Sequence, residues 1–352
     1  MVTFFTTLLV ILMSFQTESL QHPIPSPYYS GSVKAGYWPS GNSLSPSSID
    51  TRYFTHIYYA FVEPEPNTFN LIITSSDQNY IPQFINGLSS RNPPVKTILS
   101  IGGGSSNATL FSLMASTVKN RAAFINSTIQ VARQYDFDGL DLDWEFPQNE
   151  QDMANLALLF KEWHQAVVFE AKVHRRPRLL LTAAVYYAHT IVLIGPGPRS
   201  YPAQAIKDYL DWASPMCFDY HGAWSNFTGY NNALFDPKSN ISTQFGLGSW
   251  IQSGVPPSKL VFGLPLYGRA WKLQDPKVHG DGAPAVGAAD GTDAVSYYTY
   301  AGTTWMSYDD APSMTRKVQY AKSLGLKGYF FWQVGGDKNW TMSRQASSSW
   351  GH

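Results

Sequence analysis

Eight short apolar segments recur along the chain, and each has the length of a β-strand. Most carry apolar residues at successive positions rather than at alternate ones, which is typical of parallel strands covered by helices. We predict these strands over residues 33–37, 56–61, 96–101, 139–144, 179–185, 214–218, 259–264 and 328–332.

Helical patterns lie between the predicted strands. Residues 152–173 place Leu156, Leu159 and Trp163 on one face, and residues 315–323 give a shorter example. A strand followed by a helix, eight times over, predicts an α/β fold of the (β/α)8 TIM barrel type, formed as one domain.

A doubly wound open sheet is the alternative arrangement. Gly102, Gly103 and Gly104 follow the third predicted strand, as the loop of a nucleotide site would. They lack both the G-x-G-x-x-G spacing and an acidic residue at the distance that a ribose requires. We therefore interpret the triplet as a tight turn from strand to helix.

The segment over residues 271–306 breaks the alternation. It is rich in Gly, Ala and Asp and has no clear periodicity. We predict a long excursion here, between the seventh and eighth strands of the barrel.

The first residues of the chain are predicted to be a targeting segment. Residues 2–15 are almost wholly apolar or threonine, and the first charged residue is Glu18. This stretch is shorter than the roughly 20 residues of a membrane span but fits the apolar part of a secretory signal. We expect a signal peptide over residues 1–19, a mobile Pro-rich lead-in over 20–31, and the barrel domain over 32–352.

Five Asn-x-Ser/Thr triplets agree with a secretory route. We expect a secreted glycoprotein, extracellular or vacuolar. The candidate glycosylation sites are Asn107, Asn126, Asn226, Asn240 and Asn339.

Composition excludes several classes of function. The 25 basic and 25 acidic residues balance, so neither a nucleic-acid surface nor a polybasic membrane patch is expected. The aromatic content of 15% suits either an aromatic core or stacking surfaces for ring-shaped ligands. Cys217 is the only cysteine, which excludes a disulfide within the chain and a cysteine-based zinc site.

The fourth predicted strand carries the strongest chemical signal. Asp141, Asp143 and Glu145 stand at alternate positions, so their side chains share one face of the strand. Carboxyl groups crowded inside a barrel cannot all ionise, and one of them keeps its proton near neutral pH. A protonated carboxyl is the general acid that cleavage of a glycosidic bond requires. Asp138 lies just before them as a fourth acid.

A metal site and a solvent-exposed edge are the alternatives for the acidic run. Clustered carboxylates suit Ca²⁺ or Mg²⁺, but the run lacks the twelve-residue loop and the sixth-position glycine of an EF-hand. A chance acidic edge exposed to water would not alternate with Leu140, Leu142 and Trp144. We expect no metal at this strand.

The sequence FDGLDLDWE over residues 137–145 resembles the D-G-x-D-x-D-x-E signature of glycoside hydrolase family 18, the chitinase family. Further landmarks of that family occur in order, and the likeness to plant class V chitinases runs from about residue 33 to 350. They are Ser100, Gly102 and Gly103 after the third strand, Met216 to Asp219 after the sixth, Tyr267 and Arg269 after the seventh, and Trp332 at the eighth.

The resemblance implies a retaining mechanism without a nucleophile from the protein. Glu145 would protonate the leaving oxygen, and the 2-acetamido oxygen of the substrate would attack the anomeric carbon. Asp143 would orient the acetamido N–H and move between its two neighbours, while Asp141 keeps a proton in the stack. No cofactor and no metal are implied.

The resemblance also implies the residues that line the cleft. Trp332 would form the floor beneath the distorted sugar. The remaining candidates for substrate binding are Tyr37, Phe61, Met216, Phe218, Asp219, Tyr267 and Arg269.

Two departures from the family pattern bear on activity. The family usually has Tyr where this chain has Phe218, and that hydroxyl helps to hold the acetamido oxygen. The insertion over about residues 272–306 is also shorter than the one that walls the cleft in class V chitinases. The missing hydroxyl predicts reduced activity, and the shorter insertion predicts a shallower cleft with fewer sugar contacts.

Three functions therefore stay open. The first is a secreted hydrolase that cleaves β-1,4-N-acetylglucosamine linkages with Glu145 as the acid and base. The second is a chitinase-related lectin with little or no turnover, and the third is an inhibitor of other enzymes. We expect a monomer whose partners are chitin or N-acetylglucosamine oligosaccharides, with N-glycans as a further ligand class, and neither nucleic acid nor membrane.

Overall fold

A barrel of parallel strands forms the centre of the computed structural model, which describes residues 31–291 and 297–351. Hydrogen-bonded neighbours follow the order β7-β8-β1-β2-β3-β4-β5-β6. A bridge between Ala213 of β6 and Leu260, just before β7, joins the two ends. The strands are β1 Val33–Pro39, β2 His56–Pro64, β3 Lys96–Gly102, β4 Gly139–Asp143, β5 Leu180–Tyr186, β6 Trp212–Met216, β7 Val261–Pro265 and β8 Gly328–Trp332. The predicted (β/α)8 barrel is confirmed.

Helices surround the strands: α1 Ser75–Ser89, α2 Ala108–Ser116, α3 Val118–Gln134, α4 Glu150–His174, α5 Ala203–Tyr209, α6 Thr243–Gln252, α7 Ala311–Ser323 and α8 Thr341–Trp350. The prediction of one helix after every strand is wrong for β1. Two 3-10 turns, Pro46–Ser48 and Thr51–Tyr53, connect it to β2. The sixteen intervening residues are rich in Ser and contain Gly and Pro, so they cannot sustain an amphipathic helix.

Shorter elements complete the described chain. Leu71–Ile72 pairs with β2, and Thr190–Ile191 pairs with Arg199–Ser200 as a small hairpin after β5. Further 3-10 turns are Pro257–Lys259, Val334–Gly336 and Lys338–Trp340.

The predicted excursion over residues 271–306 lies between β7 and α7, and it is folded although its sequence has no clear periodicity. Four antiparallel strands form a sheet in the order Ala285–Gly291, Gly268–Leu273, Thr304–Tyr308 and Tyr297–Ala301. Trp271 and Trp305 are fully buried here with ring centroids 5.2 Å apart. The insertion therefore has a small hydrophobic core of its own.

The sixth strand ends two residues earlier than predicted. Residues 217 and 218 fold into a tight turn, since the N–H of Cys217 donates to the carbonyl of Pro215 and that of Phe218 to Met216. The turn brings Phe218 and Asp219 over the end of the barrel instead of continuing along its wall.

Apolar side chains fill the barrel on both sides of its wall. An outer core lies between strands and helices and includes Leu140 and Leu142 of β4. An inner core contains Tyr37, Tyr58 and Phe330, so the barrel is packed and not a channel.

The predicted signal peptide (1–19) and nearly all of the predicted lead-in (20–31) lie outside the described residues. Within the described ranges, no helix has the length and apolar character that crossing a bilayer demands.

Candidate active site

Strand β4 turns two of the candidate acids into the barrel. Asp141 and Asp143 are 0% and 4% exposed, while Leu140 and Leu142 between and beside them pack in the outer core. Alternation along one strand therefore gives an acidic inner face and an apolar outer face. Glu145 follows directly after the strand, at its carboxyl end.

Hydroxyl groups from three other strands surround Asp141. Its carboxyl accepts from Tyr37 Oη at 2.9 Å, Ser100 Oγ at 2.7 Å and Thr182 Oγ1 at 2.6 Å. Burial raises the pKa of Asp141, and the three hydrogen bonds oppose that rise because they favour the charged form. The position of Ser100 thus explains one part of the motif after β3.

Asp143 lies between the other two carboxyls, and its pKa is strongly perturbed. Burial raises its pKa well above the usual range, and the charges of Glu145 and Asp141 raise it further. Its Oδ1 is buried and has no hydrogen-bond partner within the described part of the chain.

Glu145 is the outermost carboxyl. Burial and the charge of Asp219 raise its pKa to about 7, while a hydrogen bond with Asp143 acts in the opposite direction. The Asp143–Glu145 pair consequently keeps a proton near neutral pH.

An open cavity of about 450 Å³ lies above these acids. Asp143, Glu145 and Trp332 all line it. The rings of Phe61 and Trp332 stack with centroids 5.6 Å apart, and Tyr37 meets Trp332 edge-on at 5.8 Å. Trp332 is therefore braced on two sides and presents an apolar surface to the cavity.

Glycines after β3 let this loop approach the acids closely. Gly102 and Gly103 have φ of +110° and +99°, a region that side chains other than glycine rarely adopt. A Cβ on Gly103 would stand 2.6 Å from the Phe61 ring, and a Cβ on Gly102 would stand 2.1 Å from the carbonyl oxygen of Asp143. The Gly103 N–H donates to that same carbonyl at 2.8 Å, as a tight strand-to-helix turn requires.

Asp138 lies at the opposite end of β4 and outside the acid stack. Its carboxylate accepts from Lys96 Nζ at 2.5 Å and from the Thr97 N–H at 2.9 Å. The fourth acid of the motif therefore ties β3 to β4 where both strands begin.

A polar cluster surrounds Asp219, which lines the cavity, whereas the predicted substrate-binding residues Tyr267 and Arg269 do not line it. Asp219 Oδ1 accepts from Tyr267 Oη at 2.7 Å and from Arg269 Nη2 at 2.6 Å. Asp219 has a φ of +58°, and the side-chain oxygen of Asn231 accepts from its N–H at 3.1 Å. The turn after β6 thus holds Asp219 toward the base of the insertion.

Phe218 lies between this cluster and the inner core of the barrel. Its ring meets Tyr267 at 6.3 Å and Phe330 at 5.9 Å, both edge-on. The neighbouring Tyr220 hydroxyl is directed away, 3.1 Å from Thr243 Oγ1. Tyr220 therefore does not replace the hydroxyl that Phe218 lacks.

A second cavity, of about 510 Å³, opens on the other side of Glu145. The two cavities share Glu145, Met216, Phe218 and Asp219. Trp332 lines the first only, and Trp224 and Phe227 line the second only. Glu145 therefore stands at the junction of one continuous cleft.

Sequence reasoning missed several residues of this cleft, among them Trp224, Phe227 and Glu63. Trp224 and Phe227 are 63% and 46% exposed and lie on a loop without periodicity. Glu63, at the end of β2, lines the first cavity and accepts a hydrogen bond from Ser106. For Trp224 and Phe227, the available sequence signal was the presence of large aromatic residues soon after Asp219.

The five candidate glycosylation asparagines are all exposed. Asn107 caps α2 and Asn126 lies within α3, whereas Asn226 and Asn240 lie on loops. Glycosylation at them stays a prediction. Among the described residues, no group of three His, Cys, Asp or Glu side chains could hold a metal ion.

Comparison with known proteins places this cleft in a family. The model of Glycosyl hydrolases family 18 matches residues 33–337. The class V chitinase CHIT5 of Lotus japonicus is 59% identical over 374 aligned residues, which cover 99% of this chain and 94% of that protein.

Solved structures agree with that assignment. The class V chitinase of Nicotiana tobaccum in complex with NAG4 is 40% identical with a TM-score of 0.86, covering 91% of this chain and 99% of that one. The chitinase-like agglutinin RobpsCRA of Robinia pseudoacacia is also 40% identical, with a TM-score of 0.84 and coverages of 91% and 100%. The chain belongs to glycosyl hydrolase family 18 and is a glycosidase of the chitinase type.

Proposed function

We propose that the protein hydrolyses β-1,4-N-acetylglucosamine linkages by substrate-assisted catalysis with net retention, with Glu145 as the acid and base. The observation that carries the proposal is the row of three carboxyls, two buried and the third at the cleft, that ends at a cavity lined by Trp332. The N-acetylglucosamine oligomer bound by the similar tobacco chitinase supports this substrate class.

The sugar on the glycon side of the scissile bond would lie on Trp332. Indole rings present a flat apolar face, which suits the C–H groups of a pyranose. Phe61 and Tyr37 brace this ring, so the platform is preorganised. The glycosidic oxygen then lies near Glu145, where the two cavities meet.

Bond cleavage begins with a proton from Glu145 to the glycosidic oxygen. The bond from C1 to that oxygen breaks as the acetamido oxygen of the same sugar bonds to C1, giving an oxazolinium ion. Glu145, now a carboxylate, takes a proton from a water molecule that attacks C1 and opens the ring. Two inversions at C1 give net retention.

Asp143 would hold the acetamido group during these steps. A buried oxygen without a hydrogen bond is destabilising by about 1–3 kcal/mol, and the acetamido N–H of a bound sugar is a suitable partner for it. Asp141, held by three hydroxyl groups, would disfavour the ionised form of Asp143 and so keep a proton in the carboxyl stack.

Phe218 predicts a slower enzyme than one with Tyr at this position. A hydrogen bond to a developing charge contributes about 1.5–3 kcal/mol, so its loss lowers the rate about tenfold to a hundredfold. Tyr267 does not substitute for it, because its hydroxyl donates to Asp219.

The direct test is to incubate the purified protein with N-acetylglucosamine hexamer and to separate the products. We expect shorter oligomers whose new reducing ends are initially β, read by proton NMR, and no products from Glu145→Gln. Initial α-anomers, or equal turnover by the variant, would refute the mechanism.

A lectin is the second candidate, supported by Phe218 and by the likeness to an agglutinin. In that case the hexamer would bind wild type and Glu145→Gln alike, with no products from either. The intact set Asp141, Asp143 and Glu145 favours the hydrolase.

We further propose secretion to the extracellular space or vacuole, N-glycosylation, a monomeric state, and N-glycans as a second ligand class. The predicted signal segment and the five exposed sequons support secretion and glycosylation. Mass spectrometry of the secreted protein before and after deglycosylation would test both.

A further inference from the structure

Three aliphatic side chains are exposed at the tip of the hairpin that follows β5. Val192, Leu193 and Ile194 are 52%, 57% and 44% exposed, and two of them, Leu193 and Ile194, line the second cavity together with Trp224 and Phe227. Contiguous exposed apolar side chains at a cavity mark a place where an apolar group binds.

The hairpin tip is fixed in place beside Glu145. Arg199 is only 3% exposed, and its guanidinium donates to the carbonyls of Ile194 and Gly197. The same side chain donates through Nε to the carbonyl of Pro147, two residues after Glu145. One buried cation therefore ties the apolar tip to the loop that carries the catalytic acid.

The polar groups around this cavity are largely engaged within the protein. Tyr187 Oη donates to the carbonyl of Asn240 at 3.0 Å, and Tyr220 Oη lies 3.1 Å from Thr243 Oγ1. Asp219 is held by Tyr267 and Arg269. A ligand that presents hydroxyl groups would find few hydrogen-bond partners here, whereas an apolar group requires none.

The second cavity lies on the leaving-group side of the scissile bond. Under the proposed function, on which this step rests, the glycon occupies the cavity above Trp332, and Glu145 separates that cavity from the second one. The part of the substrate that leaves with the protonated oxygen must therefore occupy the second cavity.

We propose that this side of the cleft recognises an apolar, alkyl or aryl, substituent on the leaving group, with Leu193 and Ile194 as specificity-determining residues. The substrate class is then an N-acetylglucosamine oligosaccharide whose reducing end carries an apolar aglycone, in addition to the unsubstituted chain.

The test compares the methyl and n-hexyl β-glycosides of N,N′-diacetylchitobiose. Their leaving groups are both simple alkanols, so the two ligands differ mainly in apolar length. Dissociation constants are measured by calorimetry on Glu145→Gln, in which neither ligand is consumed. We expect the hexyl glycoside to bind about tenfold more tightly, equivalent to about 1.4 kcal/mol, which two buried methylenes supply.

The double change Leu193→Asn with Ile194→Ser, made in the same Glu145→Gln background, should bring the dissociation constants of the two glycosides to within about twofold of each other. Leu113→Asn is the matched control, because Leu113 is 54% exposed on α2 and lines neither cavity. It should keep the tenfold preference.

Equal affinity for the two glycosides, or a preference that survives the double change, would overturn this proposal. The proposed hydrolysis would fail separately, by the absence of products from the unsubstituted hexamer. The two failures are distinguishable because calorimetry on Glu145→Gln requires no turnover.

Discussion

The substitution Phe218→Tyr should increase the catalytic rate of the protein. The Phe218 ring borders both cavities, so an added hydroxyl has open space and lies near the sugar whose acetamido oxygen becomes charged. Gly263 already gives this ring room, since a Cβ there would stand 2.6 Å from Phe218 Cε1. The substitution therefore adds a donor with little repacking.

The gain follows from the strength of one charge-assisted hydrogen bond. At about 1.5–3 kcal/mol in the transition state and about 1.4 kcal/mol per tenfold change in rate, kcat should rise by a factor of about ten to a hundred. KM should change much less, because the acetamido oxygen of the bound substrate does not yet carry the developing charge.

Initial rates on N-acetylglucosamine hexamer measure both constants. Phe245→Tyr is a matched control, because Phe245 is 39% exposed on α6 and lines neither cavity. An unchanged kcat for Phe218→Tyr, or an equal gain in the control, would refute the role assigned to the missing hydroxyl.

Four further predictions follow from the same geometry. With a pKa of about 7 in the free protein, Glu145 loses its proton as pH rises, so kcat/KM should fall about tenfold per pH unit above about 7; a flat profile of kcat/KM from pH 7 to 9 would contradict this. Since that pKa is raised on folding, the folded chain binds more protons than the unfolded chain between about pH 4.5 and 7. The free energy of unfolding, measured in urea, should therefore decrease as pH rises across this window, and it should decrease less in Glu145→Gln. Tyr37→Phe removes one of three donors to Asp141 and should lower kcat on the hexamer about tenfold, whereas activity within twofold of wild type would show that the donor is dispensable. Gly103→Ala combines a φ of +99° with a Cβ 2.6 Å from Phe61, so the free energy of unfolding in urea should drop by about 1–3 kcal/mol, and an unchanged midpoint would show that the turn relaxes freely.

The sequence predicted the parts of the fold that depend on local pattern. Strand β8 has the predicted bounds, because an uninterrupted apolar run, residues 328–332, is bounded by turn-forming and polar residues. Strand β6 lies two residues earlier than predicted, because a turn at Cys217 and Phe218 ends it. Both residues are apolar, so the sequence pattern indicated that the strand continues. Propensity gives no signal for such a turn.

The strands within the insertion were not predicted, for a different reason. Its strands pair with partners distant in sequence, such as Gly268–Leu273 with Thr304–Tyr308. Their Gly and Ala content hides the alternation that would reveal a strand, and the burial of Trp271 against Trp305 exists only after the chain has folded. Non-local pairing of this kind has no signature within a short window of sequence.

The candidate site likewise contains residues that the sequence predicts and residues that it does not. Asp141 and Asp143 were accessible to sequence reasoning because strand alternation fixes where they face. The raised pKa values of Asp143 and Glu145 could not be read from the sequence in the same way, since they depend on burial and on charges of neighbouring residues. Trp224 and Phe227 lie on a loop, and only the assembled cleft brings them beside the acid.

The proton on the carboxyl pair is the centre of this account, and a carbon-13 NMR titration of glutamate carboxyl groups measures it directly. The resonance that disappears in Glu145→Gln should titrate with a midpoint near pH 7 in the free protein. A midpoint near 4, the value of an ordinary exposed glutamate, would contradict the account, because the acid would then be ionised before any sugar arrives.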